Sequence, residues 1–170
     1  MDHGRSICYN LKAEVMERNE RTSYLVSRLL YEPHVYRSLD DEFCDIYTVH
    51  RVLKEIETGE RLCIGIFNGE EFCGCVHLTI RESVTEPHLM LKRKVSGVTA
   101  TELSVDCYKR YCIDNGIELK PLYIEIADNN RAIRRVLRFC GFEDCGILSG
   151  EYFVFKGKKI PVRVFRKELD

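Results

Sequence analysis

The chain has 170 residues, 45% apolar and 31% charged, a composition that supports a buried core under a wet surface and excludes disordered, collagen-like and low-complexity classes. Its formal charge of −1 argues against wholesale attraction to nucleic acid or anionic lipid, and its apolar runs fall far short of the roughly 20 residues of a membrane span. Met1-Asp2-His3-Gly4-Arg5 leads into no apolar segment, so no secretory signal and a cytoplasmic location are expected. In chain order, Thr22-Ser23 can cap a helix with Leu25, Val26, Leu29 and Leu30 on one stripe, and Pro33 stops it. A polar stretch, Ser38 to Glu42, precedes a second helix that carries Val49, Val52, Leu53 and Ile56 and ends at Gly59. Leu62–Phe67 and Phe72–Ile80 flank Asn68-Gly69, a strong hairpin signal, and a further strand covers about His88 to Arg93. A helix runs from Gly97 to about Asn115, stopped by Gly116, and a strand follows over Pro121 to Ala127. Asp128 or Asn129 can cap the next helix, whose stripe is Ala132, Ile133, Val136, Leu137 and Cys140, with Arg131, Arg134, Arg135 and Arg138 on its outer surface. Two strands, about Glu151 to Phe155 and Ile160 to Arg166, close the chain, and a short N-terminal strand remains open. This order predicts one α+β domain over residues 1–170, a mixed, mostly antiparallel sheet flanked by helices.

Nine cysteines are an odd, dispersed set with no Cys-x2-Cys spacing, so neither a disulfide framework nor a zinc or thioredoxin site is expected. They read as small buried apolar side chains in a reducing compartment, Cys73 and Cys75 sharing one sheet face. His77, in an alternating strand, reads as either packed or surface, and His3, His34 and His50 have no ligand-like partners.

Between the strand at His88 and the helix at Gly97 lies Lys92-Arg93-Lys94-Val95-Ser96-Gly97-Val98-Thr99. Basic residues followed by small ones at a helix N-terminus read either as a basic strand end with an ordinary loop or as an anion site, because free N–H groups and the positive end of the helix dipole meet there. Downstream, Asn130-Arg131-Ala132-Ile133 is followed by Phe139-Cys140-Gly141-Phe142. This pair of segments resembles the acetyl-CoA-dependent acyltransferases of the GNAT superfamily. Their phosphate loop, typically Gln/Arg-x-x-Gly-x-Gly/Ala, corresponds to Lys94–Thr99, with Lys and Thr at the outer positions. Leu29-Leu30-Tyr31-Glu32-Pro33-His34-Val35-Tyr36 with Asp40-Asp41, and the ending Gly157-Lys158 with Val164-Phe165-Arg166-Lys167, are similar to GNAT-type proteins of bacteriophages. Some of those act in head assembly or virion morphogenesis.

The resemblance implies acetyl-CoA as cosubstrate and an amine acceptor, or alternatively virion proteins as partners of a scaffold without chemistry. It implies that Leu89, Met90 and Leu91 offer a backbone N–H to the thioester oxygen and that Lys94, Val95, Ser96, Gly97, Val98 and Thr99 cradle the pyrophosphate. Lys92 and Arg93 would add charge, and Asn130 would lie beside the pantetheine arm. Glu86 and His88, two residues apart and on one strand face, are the candidate bases. The tyrosine that family enzymes place seven residues after the motif asparagine is Leu137 here, with Tyr108, Tyr111 and Tyr152 as possible replacements. Asp40-Asp41-Glu42, a solvated loop or cap by itself, would border the acceptor cleft. Nucleic-acid binding is the weakest reading, since no module with interleaved aromatic and basic residues is present. The near-zero charge divides into −6 over residues 1–86 (10 basic, 16 acidic) and +5 over residues 87–170 (16 basic, 11 acidic).

Overall fold

Alternating burial and turn glycines build the sheet, and amphipathic helices cover its faces. The computed structural model describes residues 10–39, 41 and 45–170. Its elements are β1 (Leu11–Val15), α1 (Glu20–Leu30), α2 (Pro33–Tyr36), α3 (Ile46–Thr58), β2 (Leu62–Asn68), β3 (Glu71–Ile80), β4 (Thr85–Leu91), α4 (Gly97–Asn115), β5 (Leu122–Ala127), α5 (Arg131–Phe139), β6 (Glu143–Phe155) and β7 (Lys158–Lys167). The sheet has seven strands in the order β1-β2-β3-β4-β5-β7-β6, antiparallel everywhere except at β4–β5. The α+β expectation holds, and the short N-terminal strand exists as β1.

Successive residues of β2 and β3 serve opposite cores. On one face Cys63, Cys75 and Met90 pack against Val26, Leu29 and Leu30 of α1 and Val52 and Ile56 of α3. On the other, Ile64, Val76, Leu78 and Phe165 pack against Cys107, Tyr108 and Cys112 of α4 and Leu137 of α5. Each buried aliphatic side chain of this kind contributes about 1.5–3 kcal/mol, so the two clusters fix which helices lie on which side.

Several boundaries differ from the sequence reading. Asn19, not Thr22 or Ser23, caps α1, its Oδ1 accepting from the Thr22 N–H at 3.0 Å. Pro33 opens α2 at a position where its missing N–H has no helical partner to lose. β4 starts at Thr85 rather than His88, because Pro87 sits where its nitrogen faces away from β3. Asn130, not Asp128 or Asn129, caps α5, accepting from the Ile133 N–H at 3.2 Å. β6 begins at Glu143 rather than Glu151; its exposed face, Gly146, Gly150 and two register shifts hide the alternation. A bulge opposite Ile66 and Phe67 breaks the alternation of β3, so Cys75 joins the α1–α3 core while Cys73 packs with Ile66 and Ala100.

Cys63, Cys73, Cys75, Cys107, Cys112 and Cys140 are buried, Cys145 is exposed, and all seven are free thiols. Among the described residues no helix is long and apolar enough to cross a membrane. Cys8, Cys44, His3, Asp40 and Glu42 lie outside the described residues.

Candidate functional site

The parallel pair β4–β5 makes contact at one register position, Thr85 with Leu122, with the Thr85 N–H donating to the Pro121 carbonyl at 2.9 Å. Beyond it the strands part. β4 stays paired to β3 through Leu91, and β5 stays paired to β7 through Ala127, so the opening lies between two intact ladders. Leu89 and Ile124, which point toward α4 and α5 above the opening, are half-buried, whereas Thr85 and Leu122 at its vertex are fully buried.

Strand parity decides which backbone groups face this gap. The Lys92 N–H donates to the Cys73 carbonyl at 2.8 Å, so even-numbered residues of β4 turn their backbone to β3 and odd-numbered ones turn it to the gap. Met90 therefore spends its backbone on β3 and buries its side chain in the α1–α3 core. Pro87 has no N–H to offer. The Leu91 carbonyl is held by His34 of α2, at 2.8 Å from Nε2. What remains toward the gap is the N–H of Leu89 and of Leu91, with the carbonyls of Pro87 and Leu89.

The loop from β4 to α4 lies next to these groups. Lys92 leans to Glu71 at 3.6 Å, while Arg93 and Lys94 are exposed and have no carboxylate partner among the described residues. Lys94 adopts a left-handed backbone (φ 71°), which turns the chain into the helix. Ser96 caps α4, its Oγ accepting from the Thr99 N–H at 3.2 Å and from the Thr99 hydroxyl at 3.1 Å. The Gly97 and Val98 N–H groups are then the first-turn donors that the helix itself cannot satisfy. A Cβ on Gly97 would stand 3.2 Å from Val136 Cγ2, so glycine lets the start of α4 approach α5 closely. Val95 and Val98 are half-buried and anchor the loop from below. Asn130 sits just past β5, its side-chain oxygen engaged as the α5 cap.

Glu86 and His88 share the opposite face of β4, the one toward α1 and α3, as the spacing predicts. Arg81 holds Glu86, with Nε and Nη2 each 3.0 Å from Oε2. His88 opens to solvent on the cleft side and is otherwise surrounded by protein. That surrounding mass and the Arg61 charge hold its pKa below the ordinary imidazole range, at about 4, so the ring is neutral at pH 7. Tyr123 and Glu125 of β5 extend the same face, and a groove beyond them is lined by Glu125, Glu151, Tyr152 and Phe153. Asp41 closes that groove by accepting from the Lys156 and Gly157 N–H groups at 2.8 and 3.0 Å, which pins the α2–α3 connection to the β6–β7 turn. Those bonds lower its pKa.

Leu137, at the usual tyrosine position, is buried in the core. Tyr108 does not replace that tyrosine. Its hydroxyl is sealed at the vertex of the gap, 2.7 Å from Thr85 Oγ1, and burial raises its pKa to about 12. The Tyr111 hydroxyl meets Arg18 Nη2 at 3.4 Å, and Tyr152 stands half-exposed on β6 with Lys159 over its ring. Sequence reasoning missed Arg61 and Glu55 and left His77 between packed and surface; only contacts between separate elements bring the three together.

No family model and no curated sequence matches the chain. Solved structures do. One is the acetyltransferase of Salmonella typhimurium that modifies the N-terminal serine of ribosomal protein L7/L12 (TM-score 0.70, 14% identity, covering 95% of this chain and 96% of that one). Another is a point mutant of the spermidine N-acetyltransferase SpeG of Vibrio cholerae (0.67, 16%, 93% of each chain). A third is the microcin self-immunity acetyltransferase MccE, in complex with acetyl-CoA and AMP (0.70, 12%, 93% of each chain). The chain has the GNAT fold. The likeness spans nearly all of both partners in each case. At these identities it speaks for the architecture, so the gap and its lining are what bear on chemistry.

Proposed function

We propose that the protein is an N-acetyltransferase that takes acetyl-CoA and an amine into the gap between β4 and β5. The observation that carries this reading is the open edge of β4. It presents the N–H groups of Leu89 and Leu91, unpaired among the described residues, beside a helix N-terminus preceded by Arg93 and Lys94. An extended pantetheine arm can pair with that edge as a strand would, while its pyrophosphate meets the Gly97 and Val98 N–H groups. One of the β4 N–H groups then stabilises the oxygen that gains charge as the amine nitrogen attacks the thioester carbonyl. The carbon–nitrogen bond forms, the carbon–sulfur bond breaks, and the thiolate leaves.

The attacking amine must lose a proton. The Glu86 carboxylate is engaged by Arg81, whereas His88 is neutral and faces the acceptor side. His88 is the base, directly or through water. The acidic groove beyond β5 favours an acceptor that arrives as a cation.

Thiol release from acetyl-CoA with a panel of primary amines and basic peptides tests the reading. The native protein turns over with at least one amine, and His88→Gln lowers kcat/KM about 100-fold with KM for acetyl-CoA unchanged. A folded native protein that releases no thiol with any of them contradicts it. That outcome favours the second reading, a GNAT-fold protein without the chemistry, for which the buried Leu137 in place of a proton-donating tyrosine is the supporting observation.

A further inference from the structure

His77 is buried to 1% exposure, and the acetyl transfer itself makes no use of it. It stands directly opposite His88 in the β3–β4 ladder, the rings stacked with centroids 4.8 Å and planes 16° apart. Arg61, at the foot of β2, brings Nη1 to 3.2 Å from His77 Nδ1. A guanidinium only donates, so Nδ1 is the acceptor and the ring proton of His77 resides on Nε2. Glu55 of α3 holds Arg61 from the far side, Oε2 lying 2.9 Å from Nε and 2.7 Å from Nη2. Arg61 thus bridges α3 to the buried imidazole with 12% of its side chain exposed.

We propose that Glu55, Arg61 and His77 form a positioning chain for His88, fixing the plane of its ring and repelling a proton from it. The inference rests on the acetyl-transfer reading, in which His88 accepts the proton of the amine. A proton on His77 Nδ1 would set donor against donor at Arg61, so His77 stays neutral. A proton on His88 would place a cation against that stacked ring and near the Arg61 charge, with little water between to screen it.

The other groups around His88 do not undo this. Arg81, after β3, and Glu86, on β4, pair with each other, and Glu55 lies beyond Arg61. α1 contributes the apolar Val26, Leu29 and Leu30 to that face, and Tyr123 and Glu125 of β5 lie on the far side of Glu86. Burial lowers the pKa of His77, and the protein packed around His88 together with the Arg61 charge lowers that of His88, which agrees with the geometry.

The test is a histidine-labelled NMR titration of the His88 ring from pH 8 to 5.5, assigned with His88→Gln. In the native protein the His88 signal stays at its neutral position throughout. In Arg61→Gln it titrates within that range, its midpoint rising from about 4 to above about 5.5, and the acid limb of kcat/KM in thiol release moves up with it. Arg61→Lys keeps the charge and keeps the midpoint low. The double variant Glu55→Gln/Arg61→Gln leaves no carboxylate unpaired and carries the same expectation where the single variant unfolds. A purely structural Arg61 would lower the melting temperature and leave the midpoint in place. A native His88 that titrates near 6.5, or a midpoint unmoved in the folded charge-free variants, overturns the inference whatever the turnover. A midpoint that moves as stated in a protein releasing no thiol overturns the acetyl-transfer reading and leaves the hold on His88 intact.

Discussion

Single residues in this fold set both its pH dependence and the limits of its chemistry. His77 and His88 have folded-state pKa values below the 6.5 of a free imidazole, so between pH 6.5 and about 4 the unfolded chain binds more protons than the folded one. Their contribution to stability is complete above pH 6.5 and is lost as pH falls through that window. Asp144 adds a second, lower window. Arg138 and Arg163 hold its carboxyl at about 2, so its contribution is lost between the ordinary 3.8 and 2. Urea unfolding at stepped pH therefore gives a free energy that declines from pH 7 to 5 and declines again below pH 4. A flat profile from 7 to 5 contradicts the neutral imidazoles. Tyr108 separates structure from catalysis: Tyr108→Phe leaves Thr85 Oγ1 unpaired at the vertex and costs about 1–3 kcal/mol in the same unfolding measurement. Thiol release by the folded variant stays at the native rate, since that hydroxyl is sealed away from the gap.

At the scale of elements, the site exists because two strands that begin side by side do not continue so. Asn130 joins β5 to α5, and its side chain does one visible job, capping the helix. Asn130→Ala costs about 1 kcal/mol by thermal melting, while Asn130→Asp restores the cap. Weakened acetyl-CoA binding in the folded Asn130→Asp protein identifies the amide as a ligand contact as well; native affinity restricts it to the cap. The helices around the gap are legible in the sequence, because α4 and α5 carry polar caps, an apolar stripe and terminal Gly116 and Gly141 in left-handed conformation. β4 reads three residues short there, since Thr85-Glu86-Pro87 looks like a turn until one knows that the Pro87 nitrogen faces an unpaired edge. β6 is half hidden, because an exposed edge strand with glycines need not alternate. The basic loop before α4 and the Glu86–His88 pair are visible as local motifs. The gap, the His34 hold on Leu91 and the Arg61–His77 contact are not, for each joins residues far apart in sequence whose types carry no local pattern.

Across the whole molecule, the two cores assign the two faces to different tasks. α4 and α5 back the side with the basic loop, and α1 and α3 back the side with His88 and the route to the acidic groove. The near-neutral charge sum hides this division, −6 in residues 1–86 and +5 in residues 87–170. An anionic cosubstrate held by exposed Arg93 and Lys94 binds less tightly as salt rises, because charges at the surface are screened within about 10 Å at 0.1 M. The affinity for acetyl-CoA accordingly falls several-fold between 50 mM and 500 mM salt, and Arg93→Gln/Lys94→Gln flattens that dependence. Isothermal titration calorimetry of acetyl-CoA into the native protein and into Gly97→Glu, with Gly97→Ala as the folding control, reaches the central claim most directly. The account predicts a one-to-one complex with a dissociation constant on the order of micromolar, about −8 kcal/mol, that Gly97→Glu abolishes by placing a carboxylate among the α4 N–H groups. A folded native protein that takes up no acetyl-CoA, or a folded Gly97→Glu protein that binds it as well as the native one, contradicts it.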